Sequence, residues 1–537
     1  MAGLLQIIAA YGGIFLAIYA ATYNNQAPLE APNFNITQAL VDVGIDATKI
    51  PVGLYGTEQQ QQSLETTCKA ACDTLSSWFG SKVSSGGNKG YDDFVNSFWA
   101  QQQREVRPQC VITPTEPAEV GATLLLSRLS GCPFAARSGG HSPIRGASNS
   151  PGGISIWLKE FNDVTLNEDK TIVSVGTGLT WGEVYDSLQG TNLTVVGGRS
   201  ATVGVGGFLL GGGISFHSNL HGLGIDNVES FEVVTASGKI ITARRGQHED
   251  LYQALKGTGN NFGIVTKFNL YSIPDQPVRG GMKLYAEEQK SKVINAFVQL
   301  AHDASIDPNV QQWLCLNGPA SNNAIEAEIT HLTDERDPEV LKNYNAIPMI
   351  KDTTSTRSLA QYSKEIDLYA DPQKRTTFWT CSVNLSEDFM NWIAEHWYSS
   401  VANFPKAEGA APVLAFHPFT TRGLRIMNKN MGNALGLEAS TQPLLVIQFL
   451  STWNDEEDDG AVNEWFKSFT TALEEEAKRR KLQRSFIYMN YAHQDQNVIA
   501  SYGASNGLRL RRVATHYDPS GLFQKLQRGG FKLGIDV

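Results

Sequence analysis

The stretch Phe134-Ala135-Ala136-Arg137-Ser138-Gly139-Gly140-His141-Ser142 runs from a short strand-like segment directly into two glycines and a histidine. Small and apolar residues bounded by turn residues read as a buried strand. The glycines behind it lack the Cβ atoms that would keep the backbone away from a ligand, and they leave N–H groups able to face an anion. A strand that ends in such a cradle predicts a phosphate-bearing ligand at its tip. A second glycine-rich run, Gly204-Val205-Gly206-Gly207-Phe208-Leu209-Leu210-Gly211-Gly212-Gly213, can pack equally closely against a flat ring or a diphosphate. Neither run fits Gly-x-Gly-x-x-Gly, because Leu209 stands where the third glycine after Gly204 and Gly206 is needed. A Rossmann site, and with it a nicotinamide cofactor, is disfavoured.

Outward from the cradle, Cys110-Val111-Ile112-Thr113, Ile154-Ser155-Ile156-Trp157 and Thr171-Ile172-Val173-Ser174-Val175 read as further strands. Pro117 to Leu129 carries a helical spread of apolar positions, so the region is mixed rather than a sandwich. After Ile273-Pro274 the text changes to longer amphipathic segments, Glu287 to His302 and Val462 to Arg480, interleaved with strands at Ala324 to His331 and Leu444 to Leu450. That pattern predicts a second domain, an antiparallel sheet with helices on one face. The last fifty residues return to short strand and turn text, with Tyr488-Met489-Asn490-Tyr491 as a strand.

The 537 residues, 41% hydrophobic and 18% charged, describe an ordinary globular protein of two or three cooperative units. A formal net charge of −10 argues against nucleic-acid or anionic-membrane partners, which would repel an acidic surface. Residues 1–20 carry no charge and read as an export segment, a cleaved signal peptide in preference to a retained anchor, although a basic start is missing. Asn35, Asn192 and Asn384 begin Asn-x-Ser/Thr sequons. Of the six cysteines, Cys68, Cys72, Cys110 and Cys132 lie in one stretch, consistent with one or two disulfides in any of three pairings; Cys315 and Cys381 lie far off. His217 and His221 stand four apart without the glutamate or third ligand that a zinc site requires, so no metal is expected. Gly-x-Ser-x-Gly is absent, which removes the nucleophile-elbow hydrolases.

The order of motifs is more specific than any one of them. Arg137 to Ser142, then Val203 to Gly213, then Gly224-Ile225-Asp226-Asn227-Val228, then Asp250 to Gly257 with Asn261-Phe262-Gly263-Ile264-Val265-Thr266, resembles the FAD-binding domain of the berberine-bridge-like oxidases, of the vanillyl-alcohol-oxidase type. Tyr488 to Tyr491 and Tyr517-Asp518-Pro519 with Phe523 resemble that family's closing segment, and the glycine-rich text resembles its fungal members. The resemblance implies an α+β fold: a two-part PCMH-type FAD-binding domain with an inserted substrate domain of antiparallel sheet covered by helices. Residues 21–103 would lead into the FAD domain at 104–275, the substrate domain would occupy 276–483, and 484–537 would return to the FAD domain.

Carried over residue by residue, the resemblance has the backbone of Arg137, Ser138, Gly139, Gly140, His141 and Ser142 holding the FAD diphosphate and His141 bonded to the flavin. Val203, Gly204, Gly206 and Gly207 would lie along the isoalloxazine, Gly212, Gly213, Ile264 and Val265 would complete the cofactor site, and Asn490 would close over it. Many relatives have a second covalent link through a cysteine at the place of Ser200; serine there implies a singly attached flavin. Val203 would line the route of oxygen. Tyr488 is expected as the base, with His417 as the neighbour that tunes it. The implied activity is a monomeric oxidase that passes a hydride from a small molecule to FAD and on to O2, giving H2O2. A secondary metabolite is the favoured substrate, an oligosaccharide the alternative, and a catalytically silent flavin-binding protein a third reading.

Overall fold

A computed structural model describes residues 29–50, 63–367, 373–427 and 429–534; the expected signal peptide lies outside them. The fold is α+β, as expected. In the first layer Cys110–Ile112, Ile154–Trp157 and Phe134–Arg137 pair in parallel, with Val83–Ser84 added antiparallel at the edge. Phe134 and Ile154 are fully enclosed. The parallel pairing needs a crossover, and helix Pro117–Ser130 supplies it, its first turn opened by proline and its end closed by Gly131 at φ 70°. A second sheet of five antiparallel strands follows, ordered Val164–Leu166, Ile172–Gly176, Ile264–Tyr271, Val228–Val234 and Ile240–Arg244. The cradle loop leaves the first sheet at Arg137.

The region beyond Pro274 forms a large antiparallel sheet of nine strands among the described residues. Its centre is Ile325–His331, Val310–Asn317, Val413–Phe419, Leu444–Trp453 and Arg375–Asn384 in spatial order. Alternation sorts the side chains. Leu314, Phe416, Ile447 and Phe449 turn to one face and share a core with helices Lys290–Asp303, Glu387–Val401 and Asp459–Arg479. The partners across register on the other face include Trp313, Ala415, His417, Gln448, Thr380 and Phe378. This face, free of helices, meets the region that carries the glycine cradle.

The closing segment departs from the sequence reading. Tyr488 to Tyr491 is not a strand: Met489–Tyr491 is a single 3-10 turn. Most of the remainder is helical, with Val498–Ser501, Ala504–Tyr517 and Leu522–Lys525 packed back onto the two N-terminal sheets. Two disulfides, Cys68 to Cys132 and Cys72 to Cys110, select one of the three pairings, while Cys315 and Cys381 are free. Among the described residues no helix is long and apolar enough to cross a membrane.

Candidate active site

Two loops meet backbone to backbone. Strand Phe134–Arg137 delivers Ser138 to Ser142, and the loop from Arg199 leads into the short helix Val205–Leu210. A Cβ on Gly139 would stand 2.6 Å from Gly204 Cα, and one on Gly204 2.3 Å from the Gly139 nitrogen, so neither position accepts a side chain. Ser138 stitches the loops: its hydroxyl donates to the Thr177 carbonyl (2.6 Å) and accepts from the Gly206 amide (3.1 Å). Between these loops and the open face of the large sheet lies a cavity of about 470 Å³.

Of the residues singled out in the sequence, Ser138, Gly139, Gly140, His141, Ser142, Ser200, Val203, Gly204, Gly206, Gly207, Ile264, Val265, Tyr488 and Asn490 line this cavity. Arg137 does not. Its guanidinium points back, donating to the Phe94 carbonyl (2.7 Å) and the Ser97 carbonyl (2.8 Å) over the Phe98 ring, so its side chain braces the loop. Burial, helped by Arg104, lowers its pKa to about 9. Gly212 and Gly213 also lie off the cavity wall; at φ 119° and 90° they shape a turn whose Gly213 amide donates to the Tyr488 hydroxyl (3.0 Å).

Tyr488 and His417, expected as base and tuning neighbour, engage different partners. The Tyr488 oxygen accepts from the Gly213 and Ile214 amides (3.0 and 3.1 Å) and from the Asn490 amide (3.3 Å), and burial pushes its phenol up in pKa, the wrong direction for a base. His417 does not touch it. Its Nε2 stands 3.2 Å from Gln448 Oε1 and its ring packs on Tyr491, centroids 5.1 Å apart. Burial, reinforced by repulsion from Arg199, holds the imidazole well below its ordinary pKa, so His417 is neutral and its Nδ1 has no partner.

Sequence reasoning missed several wall residues. Tyr491, at the end of the segment that it did quote, lines the cavity, and its hydroxyl accepts from Arg199 (2.7 Å). The Arg199 guanidinium lies 4.3 Å over the Trp313 ring, which fixes its direction. Phe378 and Gln448 come from the large sheet, and Trp99 stacks on His141, centroids 4.3 Å and planes 14° apart. Enclosure lowers the His141 pKa to about 4, so at neutral pH its imidazole is uncharged. At the far end Gln527, buried in the wall, carries an Oε1 with no partner.

A cradle of this kind inside this two-region architecture defines an FAD-dependent oxidoreductase. A family model described as "FAD binding domain" matches residues 108–244, and one described as "Berberine and berberine like" matches 487–527. The FAD-dependent monooxygenase FUP4 of Fusarium proliferatum is 35% identical over 87% of this chain and 95% of its own length. BBE-like 1 of Physcomitrella patens superposes with a TM-score of 0.70 at 19% identity, covering 85% of this chain and 98% of that one. The glucooligosaccharide oxidase of Acremonium strictum, described with a 6-S-cysteinyl, 8α-N1-histidyl FAD, has the same TM-score and identity over 87% and 98%. The chain belongs to the berberine-bridge-like family of FAD-dependent oxidoreductases.

Proposed function

We propose that the protein is an oxidase that takes a hydride from a small organic substrate onto FAD held covalently by His141, with O2 as the final acceptor and H2O2 as product. Three features support the fit of FAD to the cavity. The amides of Gly139, Gly140, His141 and Ser142 donate to no other backbone group among the described residues, which suits a diphosphate. A Cβ on Gly207 would meet nothing within 4 Å, leaving room for a flat ring. The orphan acceptor of Gln527 suits an adenine N–H. When bound, FAD accepts the hydride and passes the electrons to O2.

The chain's own residues do the rest. His141, uncharged and held by the Trp99 stack, presents a nitrogen lone pair as the attachment nucleophile. Tyr491, once deprotonated, is the group placed to receive the substrate proton at its phenolate oxygen, and the Arg199 guanidinium that donates to that oxygen stabilises the negative charge it carries before the transfer. Gln448, engaged on its oxygen by His417, keeps its amide N–H₂ available to a substrate oxygen. Val203, a small side chain on the cavity wall, leaves a route for O2.

Around these groups the wall is largely apolar, with Phe378, Leu210, Ile214 and Met489. Such a surface favours a polycyclic secondary metabolite over an oligosaccharide, whose hydroxyls each need a partner when buried. The name of the Fusarium relative favours a second reading, insertion of one oxygen atom of O2 into the product. Secretion is supported by the two disulfides and by the exposure of Asn35 and Asn192.

The observation that carries the proposal is His141, neutral and stacked in the cavity wall beside the unpartnered amides. Acid precipitation of the wild-type protein is expected to leave yellow flavin on the pellet, and His141→Ala to release it. Release from both sinks the covalent attachment. Turnover with isotopically labelled O2 separates the two reactions: label in H2O2 alone marks the oxidase, label in the organic product the monooxygenase.

A further inference from the structure

The loop that carries Arg199, Ser200 and Val203 is held from both regions of the molecule. From the FAD-binding side, the Trp181 and Gly182 amides at the start of helix Trp181–Leu188 donate to the Val203 and Ala201 carbonyls (3.0 and 2.9 Å). From the opposite side comes helix Leu359–Asp367, which lies in the chain between strands Ser355–Arg357 and Arg375–Asn384 of the large sheet. The Ala201 amide donates to its Ser363 carbonyl (3.1 Å). The Asp367 carboxylate, in the helix's last turn, takes three bonds from two successive alternate residues: the Ser200 hydroxyl, the Thr202 amide (2.8 Å) and the Thr202 hydroxyl (3.1 Å). Both of its oxygens are engaged, so the loop can neither rotate nor slide without breaking charge-assisted bonds.

We propose that Asp367 is a positioning residue: it clamps the Ser200 to Thr202 loop from the substrate-domain side and so sets where Val203 and Arg199 stand on the cavity wall. The proposal rests on the roles given above to those two residues. Arg199 immediately precedes the clamped segment and Val203 immediately follows it, so a shift of the loop moves both together. Asp367 is also the carboxylate whose charge acts on His141, which puts the clamp within electrostatic reach of the attachment site. The same helix is tied to Trp181–Leu188 a turn earlier by Lys364 and Asp186 (2.7 Å), an exposed pair that leaves the loop untouched and serves as the control.

The test needs no substrate. Holoenzyme is reduced anaerobically with dithionite and mixed with O2, and both the visible spectrum of the oxidised flavin and the reoxidation rate are read. Asp367→Ala is expected to shift the flavin absorbance bands by several nanometres and to change the reoxidation rate by roughly fivefold or more, since displacements near 1 Å at such sites carry large rate effects. Asp367→Asn keeps an acceptor for the Thr202 amide and should fall between Ala and wild type. Lys364→Ala should leave both readouts unchanged. Wild-type spectrum and rate in Asp367→Ala overturn the proposal. Should that variant fail to fold, Ser200→Ala with Thr202→Val removes the two hydroxyl bonds from the loop side, and wild-type behaviour there overturns it equally. Val203→Ile in the same assay tests the underlying reading: if it leaves reoxidation unchanged, the oxygen route is misplaced, and the spectral shift alone decides for Asp367.

Discussion

Two tyrosines three positions apart sit in opposite surroundings. Tyr488 is saturated by donors and holds the turn at Gly213 and Ile214, while Tyr491 faces the cavity with one charged donor on its oxygen. Tyr491→Phe is therefore expected to slow flavin reduction by about 10²-fold or more, the ordinary range for loss of a general base. Stopped-flow reduction of the loaded enzyme checks it. Tyr488→Phe should stay within a few-fold in the same measurement but lose about 1–3 kcal/mol of stability, because two buried amides lose their acceptor. A Tyr488→Phe that abolishes reduction while Tyr491→Phe does not would reverse the assignment. The quoted segment Tyr488 to Tyr491 was legible as a closing piece of the site. The different hydrogen bonding of its two tyrosines was not, because period-two alternation does not apply to a 3-10 turn.

At the scale of elements, helix Leu64–Phe79 is pinned to the parallel sheet by cysteines one turn apart on one face, Cys68 reaching Cys132 and Cys72 reaching Cys110. The bridges close loops of 64 and 38 residues, each worth about 4 kcal/mol in the chain-entropy estimate. Replacing Cys68 and Cys132 by serine should lower the denaturant midpoint accordingly, and an unchanged midpoint would show that the helix is held by packing alone. The sequence announced four cysteines together, but the choice among pairings belongs to tertiary contact. Strands such as Phe134–Arg137 and Ile325–His331 were legible because a buried pattern and turn residues agree. Helix Ala504–Tyr517 was missed. Its first turn holds Asn506 and Gly507, poor helix formers, and it is stabilised by burying Leu510, Val513, Ala514 and Tyr517. The same logic divides the site: the glycine cradle is local and could be read, whereas Phe378 and Gln448 reach the cavity from strands far along the chain and Asp367 reaches the loop behind its wall from a distant helix.

Across the whole molecule, burial works on titratable groups in two directions. Among the described residues, enclosure lowers the histidines, His141 and His221 to about 4, His217 to about 3 and His417 well below its usual value, with smaller reductions at His248, His396 and His493. It raises carboxyls, Asp226 and Glu328 to about 7, with smaller increases at Asp275, Glu326 and Glu474. For the histidines, stability is fully present above the unfolded value near 6.5 and is lost as pH falls through the folded values, because the unfolded chain then binds protons that the fold refuses. The raised carboxyls act oppositely: their contribution is greatest below about pH 4 and is lost as pH rises toward about 7. The strong shifts decide the sign: His141, His217, His221 and His417 are lowered well below the unfolded value while only Asp226 and Glu328 are raised as far, so the unfolded chain binds more protons between about pH 4.5 and 6.5 and stability should rise with pH across that window. His217 is the sharpest probe, buried with an unpartnered Nδ1 and outside the cavity. Unfolding temperatures measured at pH 5 and pH 7 are expected to differ less in His217→Asn than in wild type, whatever the variant costs at neutral pH, and an identical difference in the two proteins would remove this histidine from the acid response.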